Sequence, residues 1–123
     1  MSNKFKAEYD SENDVLFIHH SEKKSRGSIE IGPYVHISFS PSYDAIGLEF
    51  LDASKTLTSL SVPKFNFTKN FLKTLQKAFL ETKVEKGLLI VRYYMFFEEK
   101  EKPLVNQLIV QSIGYRSPIT ATA

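Results

Sequence analysis

Residues 88–97 read Leu-Leu-Ile-Val-Arg-Tyr-Tyr-Met-Phe-Phe, a strand-forming run that is apolar at both parities and broken only by Arg92. Successive side chains of a strand point to opposite faces, so such a run needs cover on both. It is about half the ~20 residues a membrane helix requires. The run is therefore predicted as the central strand of a sheet, or as a strand whose second face is covered by another subunit. The second possibility makes a homodimer the expected assembly. Glu98 to Pro103 is a charged turn, and Leu104 to Ile113 alternates loosely, with Asn106, Gln107 and Gln111 interrupting it. The pair is predicted as a C-terminal β-hairpin.

The first half alternates with period two. Phe5, Ala7 and Tyr9 share one face against Lys4, Lys6 and Glu8. After the turn residues Asp10-Ser11-Glu12-Asn13 comes Val15 to His20, then Ile29 to Ile31, Val35 to Phe39 and Ile46 to Phe50. Short strands joined by turn-forming residues predict an antiparallel meander of about five strands. Lys55 to Pro63 reads as a polar connection. Thr68 is placed to cap a helix running to about Thr82, with Phe71, Leu72, Leu75, Ala78 and Phe79 at helical spacing. Lys69, Lys73 and Lys77 then form a stripe on another face, and Leu80 sits awkwardly beside it. The fold class expected is α+β, with the helix packed on the sheet. The organisation expected is a single domain over residues 1–123. Within it, 7–54 form the meander, 55–114 the helix and hairpin, and 115–123 a frayed tail.

Composition narrows the function. At 42% hydrophobic residues and a net charge of +2, wholesale disorder is excluded. The absence of cysteine removes disulfide scaffolds, zinc knuckles and thiol catalysis. No apolar leader run or membrane helix is present, so a cytoplasmic protein with no membrane association is expected. The near-neutral total hides an asymmetry: residues 1–54 carry a net −4 and residues 55–123 a net +6.

Residues 7–54 resemble the prokaryotic domain of unknown function numbered 2283. That pattern opens Tyr-Asp-x-x-x-Asp-x-Leu-Tyr-Ile, here Tyr9-Asp10-Ser11-Glu12-Asn13-Asp14-Val15-Leu16-Phe17-Ile18. It closes Gly-Ile-Glu-Ile-Leu-x-Ala-Ser, here Gly47-Leu48-Glu49-Phe50-Leu51-Asp52-Ala53-Ser54. The matching positions are thus Tyr9, Asp10, Asp14, Gly47, Glu49, Ala53 and Ser54. The resemblance implies a small antiparallel sheet followed by a helix, and no established activity. Some members are encoded beside toxin-like genes, which implies antitoxin-like binding by analogy alone. An acidic turn, Asp-x-Asp-x-Asp-Gly, usually precedes the last core strand of the family. Here Ser38, Ser40, Ser42 and Tyr43 stand in its place, which removes the charge role.

Asp10, Glu12 and Asp14 have the spacing that opens a calcium loop, but Val15 and Ser21 occupy the positions that need Gly and Glu. Turn chemistry explains them: Asp10 bonds amides of the hairpin and Asp14 pins the start of the strand. His19 and His20 point to opposite faces of one strand, so they do not share a metal. A site pairing one of them with His36 requires their strands to be neighbours. Glu49 is either an acid or base among apolar neighbours or a salt-bridged residue of the polar face. No Gly-x-Ser-x-Gly elbow and no Gly-rich phosphate loop is present. No catalytic set, metal site or cofactor is therefore expected.

These observations point to a non-enzymatic protein-interaction module, antitoxin-like or regulatory, with a homodimer or an acidic protein as partner. The alternative is a small ligand- or metal-binding protein or hydrolase using Asp10, Asp14, Glu49 and a histidine. A third reading is weak RNA binding by the Lys69, Lys73 and Lys77 face, although the chain shows little interleaving of basic and aromatic residues.

Overall fold

A computed structural model describes residues 4–110. The expected frayed tail at 115–123 lies outside the described residues, as do the last residues of the expected strand to Ile113. The first half is a five-stranded antiparallel sheet of β1 (Phe5–Asp10), β2 (Val15–His20), β3 (Gly27–Ile31), β4 (Val35–Phe39) and β5 (Ala45–Phe50). Its order is β1-β2-β5-β4-β3. The last strand thus sits in the middle, where a plain meander would keep every sequence neighbour adjacent. The reason lies in burial. Ala45, Ile46, Gly47 and Leu48 are all buried, and the most enclosed strand takes the central place.

The second half departs from expectation. Helix α1 (Ala53–Leu60) occupies the stretch read as a polar connection. Thr68 does cap a helix, its Oγ1 accepting from the Phe71 amide at 3.1 Å, but that helix, α2 (Lys69–Leu72), lasts one turn. The expected helix to Thr82 is replaced by a long strand, β6 (Leu75–Glu85). β6 pairs antiparallel along its whole length with β7 (Leu88–Phe97), and β7 pairs with β8 (Leu104–Val110). The expected hairpin of β7 and β8 is present within this three-stranded sheet, ordered β6-β7-β8.

Tertiary demand overrides local spacing here. β7 has backbone groups on two edges and leaves neither edge unpaired only if a strand lies on each side. The apolar residues that suggest a helix also satisfy a strand once a register shift between Leu75 and Lys77 is allowed. After that bulge Ala78 and Leu80 are buried and Phe79, Glu81 and Lys83 face out. Leu80, misplaced on a helix, is thereby a core residue at 7% exposure. Lys86 and Gly87, both at positive φ, form a two-residue hairpin loop between β6 and β7.

The inner faces of the two sheets meet in one core. Leu16, Ile18, Leu48 and Phe50 from the first sheet pack with Leu89, Val91, Tyr93 and Met95 of β7. The Phe50 and Tyr93 rings lie 5.2 Å apart, and β1 packs against β6. The Ala45 amide donates to Thr82 Oγ1 at 2.8 Å, which ties the two sheets.

The turn before β5 shows what replaces the family's acidic residues. Asp44 N donates to Ser40 Oγ at 3.2 Å, and Ser42 Oγ lies 3.1 Å from Ser40 Oγ and 3.3 Å from Asp44 Oδ2. Tyr43, at the family's glycine position, holds φ at +67°. A non-glycine residue there costs ~1–2 kcal/mol, against ~0.4–1 kcal/mol of extra unfolded-state entropy for glycine. Tyr43→Gly should therefore raise the unfolding free energy by about 0.5–1 kcal/mol, read as a higher urea midpoint with an unchanged slope.

Candidate functional site

The two ends of the family motif meet in space. Asp14, at φ +56° just before β2, is 6% exposed. Its carboxylate accepts from the Tyr9 hydroxyl at 2.6 Å, from the Ser54 hydroxyl at 2.7 Å and from the Ser54 amide at 3.1 Å. Its carbonyl accepts from the Ala53 amide at 2.7 Å. Asp52 occupies the N-cap position of α1 in a left-handed conformation and makes no side-chain cap. Asp14, distant in sequence, caps the helix in its stead. Burial opposes ionisation of Asp14, but the Tyr9 and Ser54 hydrogen bonds, with the charge of Lys69, hold its carboxyl below the ordinary aspartate range. Burial, and then the bond to Asp14, push the Tyr9 phenol up.

Asp10 is occupied by its own turn. It accepts from the Glu12 and Asn13 amides and from the Asn13 side chain at 2.8 Å. The Asn13 side-chain bond, then these backbone bonds, lower its pKa. Glu49 and Gly47 lie elsewhere, on the outer face of the first sheet. One row crosses all five strands there: Glu8, Phe17, Glu49, His36 and Glu30. His36 sits between Glu49 at 3.2 Å and Glu30 at 3.4 Å. A Cβ on Gly47 would meet Ser38 Cβ at 3.2 Å, so this position favours the smallest residue.

The histidines do not gather. β5 separates β2 from β4, so neither His19 nor His20 has His36 on a neighbouring strand. His19 stacks on Phe17 at 4.7 Å, and His20 Nδ1 accepts from the Glu22 and Lys23 amides. Among the described residues no group of three His, Asp or Glu side chains is placed to hold a metal ion. The set Asp10, Asp14, Glu49 and a histidine is dispersed: Asp14 at the helix, Asp10 in a turn, Glu49 on an open sheet face. The lysine stripe also dissolves. Lys69 opens α2, Lys73 ends it, and Lys77 lies on β6 with its ammonium 4.7 Å above the Phe96 ring.

The outer face of the C-terminal sheet has a different character. Phe79, Tyr94 and Val105 form one cross-strand row, and Lys83, Ile90 and Ile109 another. Phe79 stacks on Tyr94 at 4.4 Å. Between these rows lie Glu81, Arg92 and Gln107, with Arg92 and the Tyr94 hydroxyl both donating to Glu81 at 3.3 and 2.8 Å. At the β8 side a groove of about 430 Å³ is lined by Leu60, Val62, Arg92, Val105, Gln107 and Ile109. Sequence reading did not single out Val62, Val105 or Ile109. The available signal was Leu104 to Val110, whose apolar residues fall at both parities.

Asp14→Ala removes three acceptor contacts, the helix cap among them, and should cost about 2–4 kcal/mol in urea unfolding. A carboxyl held below its usual range contributes stability in full above the unfolded value near pH ~3.9 and loses it as pH falls through the folded value. Asp14→Asn should therefore flatten the acid limb of a stability–pH profile.

Residues 6–54 match the family model described as protein of unknown function (DUF2283). A Methanocaldococcus jannaschii protein, named as uncharacterized, is 26% identical over 111 residues, covering 90% of this chain and 89% of the relative. That similarity runs well beyond residue 54, so the second half is shared with a relative as well. No solved structure matches the chain. No helix among the described residues is long and apolar enough to cross a membrane.

Proposed function

We propose that this chain, whose residues 6–54 match the DUF2283 family, is a non-enzymatic protein-interaction module that self-associates through the outer face of β6-β7-β8. One observation carries the reading. Among the described residues seven large apolar side chains are exposed, and three of them, Val62, Val105 and Ile109, line a single groove. Scattered exposed apolar residues are ordinary on a protein surface, whereas a contiguous set marks an interaction site. The contrast between the sheets supports it. The first sheet turns mostly charged and polar residues outward, Phe17 excepted, while the outer face of the second carries the half-buried Phe79, Tyr94 and Phe96 beside the exposed Val105 and Ile109.

The occupant is a second copy. The face carries charge of both signs, Arg92 paired with Glu81 at 3.3 Å and Lys83 with Glu85 at 3.4 Å, and a two-fold pairing can exchange such pairs across the interface. An antitoxin-like or regulatory partnership with an acidic protein would use the same face in exchange for the second copy. The hydrolase alternative has less support, because Asp10 and Asp14 are engaged in holding the turn and the helix.

Size-exclusion chromatography with light scattering should give twice 14.1 kDa at high concentration. Val105→Glu with Ile109→Glu places charge in the groove at two exposed positions and should return the mass to 14.1 kDa with the circular dichroism of the folded chain retained and the concentration dependence of the thermal midpoint lost. A wild-type protein that stays at the lower mass overturns self-association.

A further inference from the structure

We propose that a second groove, between α1 and residues 64–69, binds a compact ligand carrying a chain of phosphate groups. The groove measures about 370 Å³, within the size range of small-molecule sites. Three lysines line it: Lys55 on α1, Lys64 on the following loop and Lys69 at the start of α2. No carboxylate lines it.

Convergence, not the lack of a partner, separates them from the other surface lysines: all three line one concavity. Lys4, Lys23 and Lys83 each have a carboxylate within 4.0 Å. Lys55, Lys64 and Lys69 have no ion pair among the described residues, a state they share with Lys6, Lys24 and Lys86, but only they face a common groove. Lys64 is drawn over the groove wall instead, donating to the Thr58 carbonyl at 3.2 Å, which leaves two of its three donors free. The carboxylate sensed by Lys69 is that of Asp14, already held by Tyr9 and Ser54. Three like charges around one concavity focus a positive field that a multivalent anion neutralises.

The lining also states what kind of anion. Ammonium groups act as point charges and read charge density, while planar carboxylates are better matched by the arginine fork, which the groove lacks. Three of the four lining hydroxyls are already donating within the chain, while Thr68 Oγ1 accepts from the Phe71 amide and keeps its own proton to donate, and Asn66 adds a carboxamide. Ser54 Oγ donates to Asp14, Thr58 Oγ1 to the Ser54 carbonyl and Ser59 Oγ to the Thr56 carbonyl. Phe67, the one aromatic in the lining, is 2% exposed and gives a nucleobase no ring face to stack on. The groove therefore takes the phosphate chain itself, free or as part of a nucleotide, with no aromatic face for the base.

Calorimetric titration of the full chain with sodium tripolyphosphate, ATP and a single-stranded RNA 12-mer tests this. Tripolyphosphate and ATP should bind with similar affinity at low salt, falling as salt rises, with amide NMR shifts clustered at residues 54–69. Lys55→Gln, Lys64→Gln and Lys69→Gln together should weaken tripolyphosphate binding by about tenfold or more, while Lys6→Gln, Lys24→Gln and Lys86→Gln, removing the same charge elsewhere, should change it less than about twofold. Equal loss in both variants overturns the site in favour of diffuse surface charge. Absent tripolyphosphate binding, wild-type shifts away from 54–69, or RNA binding that tripolyphosphate does not displace, overturns it as well. None of these outcomes depends on the oligomeric state.

Discussion

The carboxylate of Asp14 accepts from Tyr9 on β1 and from Ser54 on α1, joining the first hairpin to the helix that follows the sheet. Asp14 stands between β1 and β2 at one end of the domain-like segment, and Ser54 stands just after β5 at the other. A single buried side chain therefore closes the five strands into a unit and starts α1, whose own N-cap residue does no capping. Its low exposure makes each of those bonds expensive to lose, since a donor left without its acceptor keeps its desolvation cost. The family motif is legible through this contact. Tyr9, Asp14, Ala53 and Ser54 are separate in the chain and adjacent in space, and their shared task is structural.

Beyond that closure the molecule presents two unlike surfaces. The first sheet displays Glu8, Glu49, His36 and Glu30 in one row that only Phe17 interrupts. The second displays a stack of Phe79 on Tyr94, aliphatic residues of β7 and β8, and a groove beside Val62. The inner faces of both are consumed by the common core, so outer faces and peripheral grooves are what remain for recognition. The charge split falls along the same division. The acidic half holds the solvated sheet, and the basic half holds both the apolar face and the lysine-lined groove.

Legibility followed the range of the interactions. The five early strands were readable because alternation of side chains is a local property of each segment. The turn role of Asp10 was readable because it bonds amides two and three residues on. Thr68 was readable as a cap for the same reason, yet the length of its helix was not. Phe71, Leu72, Leu75, Ala78 and Phe79 fit a helical stripe, and only the pairing of β6 with β7 makes the bulge after Leu75 worthwhile. The hairpin turn at Lys86 and Gly87 was not legible for the same reason, since the strand on its N-terminal side read as a helix to about Thr82. α1 was missed because its sequence, rich in Ser and Thr, has modest helix propensity and its cap comes from Asp14.

The sequence by itself determined which segments alternate, that residues 88–97 need cover on both faces, that thiol chemistry is absent, and that charge is divided between the halves. These are properties of neighbouring residues and of counts. Tertiary structure decided that β5 is central, that residues 75–85 extend as a strand, that Asp14 caps α1, and that Val62, Val105 and Ile109 share one groove. Each of those depends on groups far apart in the chain, where hydrogen-bond satisfaction and burial of a common core outweigh the local preference of any one segment.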